Sequence, residues 1–366
     1  MPIAEFSPQN GSMQDLNLPF TNFSGLRIIR DHEGNRGTRF VAIASHTSQF
    51  AQIIAIDNAQ YRVLRASPPL ALDQDDVAKA QAITFATGDD ALPLSQWPDA
   101  ALCAPKYPLP TQAQAFFYLP TNTRFALSEG EKPPLIVKCH GGPTGCSDAS
   151  LHLKTQFFTS RGFAVLDVNY RGSTGFGRAY REALYGQWGI VDVQDCVAGA
   201  AHLIRTGQVD GRRTIITGSS AGGYTVLSAL AFADIFRAGC SAYGIGDLQA
   251  LAQDTHKFES RYLDQLLGPY PAEKTRYHAR SPQYHAHKIA CPVLFLQGGK
   301  DKIVPPQQAQ EMCKALEDAD QNAKLVLFAG EGHGFRQEQS IHDALLHELW
   351  FYADCFGFRA YDRRPQ

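Results

Sequence analysis

Three residues far apart in the chain are of types that together can run acyl transfer. Ser220 is the middle of Gly218-Ser-Ser-Ala-Gly222, the pattern of a sharp strand-to-helix turn that exposes a serine hydroxyl. A serine attacking a carbonyl needs a base to take its proton and an acid to orient that base. His333, between two glycines in Ala329-Gly-Glu-Gly-His-Gly-Phe335, is the candidate base. Asp301, in Gly298-Gly-Lys-Asp-Lys-Ile-Val-Pro-Pro306, is the candidate acid. Negative charge on the attacked oxygen needs preorganised donors. The amide of Ala221, at a helix N-terminus, is one. Gly142, in His140-Gly-Gly-Pro-Thr-Gly145, supplies the other.

These residues need elements that carry them to one place. Apolar runs predict strands at Leu135–Cys139, Ala164–Val168, Thr214–Thr217, Ala238–Ala242, Val293–Gln297 and Leu325–Phe328. Helices are expected at Ser150–Thr159, Val191–Thr206, Ala221–Ala233, Pro306–Glu317 and Ile341–Phe356. Strands alternating with helices predict an α/β fold, a mostly parallel sheet with helices on both faces. Each candidate residue then follows a strand, and the order Ser, Asp, His is that of the α/β-hydrolase fold. Residues 1–66 instead read as a β-meander of four short strands, the size of one β-propeller blade, with a turn at Asp31–Gly37. Residues 67–111 read as a linker and irregular excursion containing one strand, Ala80–Thr87; residues 112–366 are the expected catalytic domain, opening on a strand at Gln114–Leu119.

Composition narrows the partners. A net charge of -2 and 19% charged residues leave no electrostatic footprint for nucleic acid or an anionic membrane. The stretch Thr214–Ala233 carries no charge but is rich in Gly, Ser and Thr, which suits a buried strand-turn-helix and not a membrane span. Met1–Phe20 lacks the basic and apolar regions of a secretory signal. Eight cysteines without a C-x-x-C pair suit a reduced, cytoplasmic setting. His278, His285 and His287 have no Cys or carboxylate at ligand spacing, so they read as a polar loop, and neither metal nor cofactor is expected. Arg171-Gly-Ser-Thr-Gly175 lacks the Lys-Ser/Thr ending of a phosphate loop. The stretch Asp254–Tyr262 either lines a cleft or forms a salt-bridged helix cap.

Five stretches carry a family resemblance: His140–Pro143, Asp167-Val-Asn-Tyr-Arg-Gly-Ser-Thr-Gly-Phe-Gly177, Gly218–Tyr224, Asp254–Tyr262 and Gly330–Gly334. They resemble the catalytic portion of prolyl oligopeptidase family serine peptidases, in the acylaminoacyl-peptidase and dipeptidyl-aminopeptidase branch. The resemblance is strong over 133–357 and weaker over 20–90, which is similar to a last propeller blade with its linker. It implies Ser220 as nucleophile, His333 as general base, Asp301 as orienting acid, and the Gly142 and Ala221 amides as oxyanion hole. Peptides are the implied substrates, and His140, Tyr243, Ile303 and Val304 the candidate substrate-binding residues. In some branches a tyrosine hydroxyl acts where His140 stands here, so backbone amides must suffice. Asp247 is the alternative acid. A carboxylesterase would use the same constellation, and an interaction-only hydrolase fold would need none of it. A 66-residue meander cannot close a ring of roughly four or more blades. Either the cleft is open and size exclusion weak, or a propeller is missing and the meander associates, in a homo-oligomer, through an apolar edge.

Overall fold

A computed structural model describes residues 3–29, 39–57, 59–102, 104–105, 108–254 and 261–365. The expected turn at Asp31–Gly37, Cys103 and residues 255–260 of the Asp254–Tyr262 stretch lie outside the described residues. The chain divides into two compact units.

The first unit comprises residues 1–81, 118–126 and 148–161. A short antiparallel pair, β1 (Ala4–Phe6) and β2 (Met13–Asp15), precedes a four-stranded sheet. Strands β3 (Asn22–Ile28), β4 (Phe40–Ser45), β5 (Gln52–Asp57) and β6 (Gln60–Arg65) follow one another in sequence order, each antiparallel to the last. Side chains alternate between the two faces of a strand, so Ala44, Ile54 and Ile56 are buried together, with Leu16, Leu18 and Phe20 packed on them.

The second unit comprises residues 82–117, 127–147 and 162–366. Its sheet contains β7 (Gln81–Ala86), β8 (Gln112–Tyr118), β9 (Leu135–Cys139), β10 (Ala164–Asn169), β11 (Thr214–Ser219), β12 (Ala238–Ala242), β13 (Val293–Gly298) and β14 (Ala323–Phe328). The order is β14-β13-β12-β11-β9-β10-β8-β7, and every pairing from β14 to β10 is parallel. Strands β10, β12 and β13 are buried at every position, the signature of strands covered on both faces. Helix α1 (Leu153–Thr159) belongs to the first unit. Helices α2 (Arg178–Glu182), α3 (Val191–Arg205), α4 (Ala221–Phe232), α5 (Leu248–Asp254), α6 (Tyr262–Leu266), α7 (Lys274–Arg280), α8 (Pro306–Asp318) and α9 (Glu338–Phe356) follow in the second. Helix α4 is buried along its whole length against β9, β11, β12 and α3. Its Ala, Gly and Ser residues are what permit that close approach on all sides.

The connections put a topological switch point where the candidate site needs one. The chain leaves β9 for β10 on one side, then returns as β11 on the other. The loops after β9 and β11 therefore part in opposite directions, and ligands of open α/β sheets bind at such a switch point. The expected strands and helices are all present. The structure adds β1, β2, α2, α5, α6 and α7, each too short to show a hydrophobic period. Among the described residues no helix is long and apolar enough to cross a membrane.

One buried ion pair fixes the segment that follows β10. Arg171 and Asp195 are almost wholly buried. The Arg171 Nε donates to Asp195 Oδ1 at 2.9 Å, the Arg171 amide donates to Oδ2, and Thr87 Oγ1 donates to Oδ1. Removing one partner of such a pair leaves an uncompensated buried charge. Asp195→Ala should therefore lower unfolding free energy by about 3–5 kcal/mol in a urea titration.

Candidate active site

Ser220 lies at φ 56° and ψ −123°, a conformation side chains rarely adopt. It is held on both sides: its amide donates to the Ala242 carbonyl at 3.0 Å, and its carbonyl accepts from the Tyr224 amide at 3.1 Å. Two glycines make the turn sterically possible. A Cβ on Gly222 would stand 2.4 Å from the Cys139 carbonyl oxygen, and one on Gly218 would stand 2.4 Å from the Gly222 oxygen. The end of β9 thus presses directly on the turn. Beyond it, a Cβ on Gly141 would lie 3.5 Å from Ser220 Cβ, so the loop carrying Gly142 runs alongside the serine. Gly142 has φ +132°, and a Cβ there would meet Thr144 N at 2.8 Å. Ala221 opens helix α4, and amides of a first helical turn have no intrahelical acceptor.

Asp301 and His333 arrive from the loops after β13 and β14. His333 Nε2 is 3.0 Å from Ser220 Oγ, and His333 Nδ1 is 2.8 Å from Asp301 Oδ2. The other carboxylate oxygen, Oδ1, accepts the amides of Ile303 at 2.9 Å and Val304 at 3.0 Å. Burial alone would push the Asp301 carboxyl up; the bonds from His333, Val304 and Ile303 outweigh it and hold the group below its ordinary value. Asp301 is thus anionic at neutral pH. A hydroxyl, an imidazole and a carboxylate in this line can pass the serine proton to Nε2 while the carboxylate steadies the Nδ1 proton. The histidine loop has its own clamp. Glu331 is buried and accepts the amides of Gln337 at 2.8 Å and Arg336 at 3.1 Å, which holds its carboxyl below the usual range.

The remaining candidates divide. Tyr243 sits beside His333, its ring edge-on at 4.9 Å between centroids, and also meets Phe335. Ile303 is exposed, whereas the Val304 side chain is in the core, so it is their amides that reach the site, by way of Asp301. His140 is half-buried and turned inward: Nδ1 is 2.9 Å from the Gly141 carbonyl and Nε2 is 2.7 Å from Ser173 Oγ. Asp247 accepts from the Gln249 amide and the Tyr284 hydroxyl at the start of α5. His278 stacks on Tyr284, and His285 Nε2 meets the Ala279 carbonyl. Among the described residues no group of three or more His, Cys, Asp or Glu could hold a metal ion. Three contributors lie in stretches that the sequence singled out without giving them individual roles: Glu331, Tyr170 beneath His140, and Tyr262, whose hydroxyl donates to Thr144 Oγ1. The signal was the motif around each residue and not its spacing to a partner.

The profile of the prolyl oligopeptidase family matches residues 149–359. The chain is 30% identical over 235 residues to the acylamino-acid-releasing enzyme of Arabidopsis thaliana, covering 62% of this chain and 31% of that protein. It is 31% identical over 233 residues to dipeptidyl aminopeptidase BIII of Pseudoxanthomonas mexicana, covering 62% of this chain and 34% of that one. Among solved structures, a Mycobacterium tuberculosis puromycin-hydrolyzing peptidase superposes with a TM-score of 0.87 at 37% identity, over 100% of this chain and 52% of that chain. The chain thus spans about a third of these curated relatives and about half of that solved chain.

The Asp301 bonds make a prediction about stability. A carboxyl whose folded pKa lies below its ordinary 3.8 stabilises the fold above that value. The contribution is lost as pH falls through the lower, folded pKa. Asp301→Asn should therefore be less stable than the parent chain at pH 7, and thermal unfolding should show the gap closing as pH drops below about 4.

Proposed function

The chain belongs to the prolyl oligopeptidase family, and from that premise we propose that it is a serine-type peptidase hydrolysing peptide or amide bonds of short substrates. The observation that carries the reading is the single file of hydrogen bonds from Ser220 through His333 to Asp301, assembled from three separate loops. In this mechanism Ser220 Oγ attacks the substrate carbonyl carbon as His333 Nε2 takes its proton. The oxyanion is met by the amides of Gly142 and Ala221. His333 passes the proton to the leaving nitrogen, the C–N bond breaks, and an acyl-enzyme remains on Ser220. Water then attacks the acyl carbon, giving its proton to Nε2, and Ser220 leaves with that proton restored. Asp301 stays ionised throughout and holds the Nδ1 proton.

The names of the relatives support a substrate class. One is named for hydrolysing puromycin and two for releasing acylamino acids or dipeptides. Aminoacyl amides and short peptides are accordingly the proposed substrates, with Tyr243, beside His333, and the exposed Ile303 the side chains proposed nearest to them. The free thiols among the described cysteines support a reducing, cytoplasmic setting. The β3–β6 sheet has the size and strand order of one propeller blade. Exposed apolar residues on it, Ile28 at 72% and Val63 at 42%, support a covering partner, either further blades or a second copy.

Turnover tests the reading. Ser220→Ala and His333→Ala should each abolish nearly all hydrolysis of an aminoacyl anilide, and the double variant should be little worse than either. Asp301→Asn should lose about 10⁴-fold in kcat. A folded Ser220→Ala protein with substantial residual activity would refute the mechanism. A chain that turns over short acyl esters but no anilide would be an esterase instead.

A further inference from the structure

The segment 167–174, a glycine-containing motif that the reaction itself does not use, grips the loop carrying Gly142 along its whole length. Asp167 Oδ1 accepts from Ser147 Oγ, and its Oδ2 is paired with Lys138 Nζ at 2.6 Å. The Asn169 amide group closes a two-way contact with the Ser147 backbone, at 2.8 and 3.1 Å. The Thr174 amide donates to the Gly145 carbonyl at 2.8 Å. At the centre, the Tyr170 ring stacks under His140 with centroids 4.2 Å apart and planes 18° from parallel. Its hydroxyl donates to the Pro143 carbonyl at 2.8 Å and lies 3.3 Å from the His140 carbonyl. Ser173 Oγ meets His140 Nε2 at 2.7 Å.

The roles of these groups can be assigned from their donors. Burial keeps the His140 imidazole neutral. With Nδ1 donating to the Gly141 carbonyl, Nε2 is left to accept the Ser173 hydroxyl proton. The Tyr170 hydroxyl is wholly buried and keeps its proton. The Pro143 carbonyl is thus engaged by this segment and the Gly141 carbonyl by the ring it supports. Each engaged carbonyl fixes the plane of the peptide that follows it, so the amide of Gly142 and, just beyond Pro143, that of Thr144 are oriented by these bonds. The segment is anchored in turn by the buried Arg171–Asp195 pair.

We infer that the segment 167–174 is a brace for the oxyanion-donating loop, with the Tyr170 hydroxyl as its central positioning contact. The inference rests on the acyl-transfer reading. A brace of this kind acts on the transition state, where the oxyanion forms, and little on ground-state binding. Losing one oxyanion donor outright costs about 10²–10³ in kcat, and loosening one costs less.

The decisive variant is Tyr170→Phe, which keeps the stack on His140 and removes only the hydroxyl. On an aminoacyl anilide, kcat should fall about tenfold or more with KM changed less than about threefold. The inactivation rate by a fluorophosphonate should fall alike, since that reaction also develops charge on the oxygen. A folded Tyr170→Phe protein with kcat and inactivation rate within about twofold of the parent would overturn the inference. If Tyr170→Phe does not fold, Ser173→Ala decides: it should lower both rates in the same direction, and unchanged rates overturn the brace. Ser220→Ala run in parallel separates the two levels. An inactive Ser220→Ala with an unaffected Tyr170→Phe sinks the brace alone, whereas an active Ser220→Ala sinks the peptidase reading itself.

Discussion

The backbone of Ser220 sits in a region that costs on the order of 1–3 kcal/mol for a residue with a side chain, and such strain persists only when its surroundings over-determine it. Here they do. Behind the serine, α4 is buried on every side and cannot shift without opening the core. Beneath it, the carbonyls of Cys139 and His140 press on Gly222. Beside it, the Ala242 carbonyl takes the serine amide. Strand β12 thus holds the serine amide, the end of β9 closes on the same turn at Gly222, and the dense packing of the sheet's centre serves that geometry.

The same economy governs the charged groups. Asp301 faces His333 with one oxygen and two backbone amides with the other, so neither lone-pair set is left open in a buried place. Glu331 repeats the device one loop away, tying the histidine's loop by two amides. Arg171 and Asp195 repeat it below the oxyanion loop. In each case a buried charge is matched by fixed donors or acceptors; in the first two the same bonds immobilise the loops of Asp301 and His333, and in the third they fix the segment that abuts the Gly142 loop. Preorganisation of this sort is what lets dipoles act on a transition state without reorienting during the reaction.

Much of this was legible in the residues. Ser220, Asp301 and His333 each follow an apolar run, so a parallel sheet brings all three to the carboxyl ends of its strands, and the structure joins them by two hydrogen bonds. The central strands were readable because burial on both faces makes them continuous apolar runs. What stayed hidden was backbone chemistry. Val304 reads as a pocket side chain, yet that side chain is core and only its amide reaches Asp301. His140 reads as facing the substrate, yet both its nitrogens turn to Gly141 and Ser173. Tyr170 and Tyr262 act through hydroxyls on backbone and side chains distant in sequence, which no local spacing encodes. Short helices such as α5 and α6 carry too few turns for a period.

In the proposed mechanism the Ser220 hydroxyl is made nucleophilic by His333 beside it. The most direct test is intact-mass analysis of the chain after exposure to a fluorophosphonate, followed by peptide mapping. The account predicts a single adduct per chain, carried by Ser220 and not by its neighbour Ser219. An unlabelled chain, or an adduct on another residue, would contradict it.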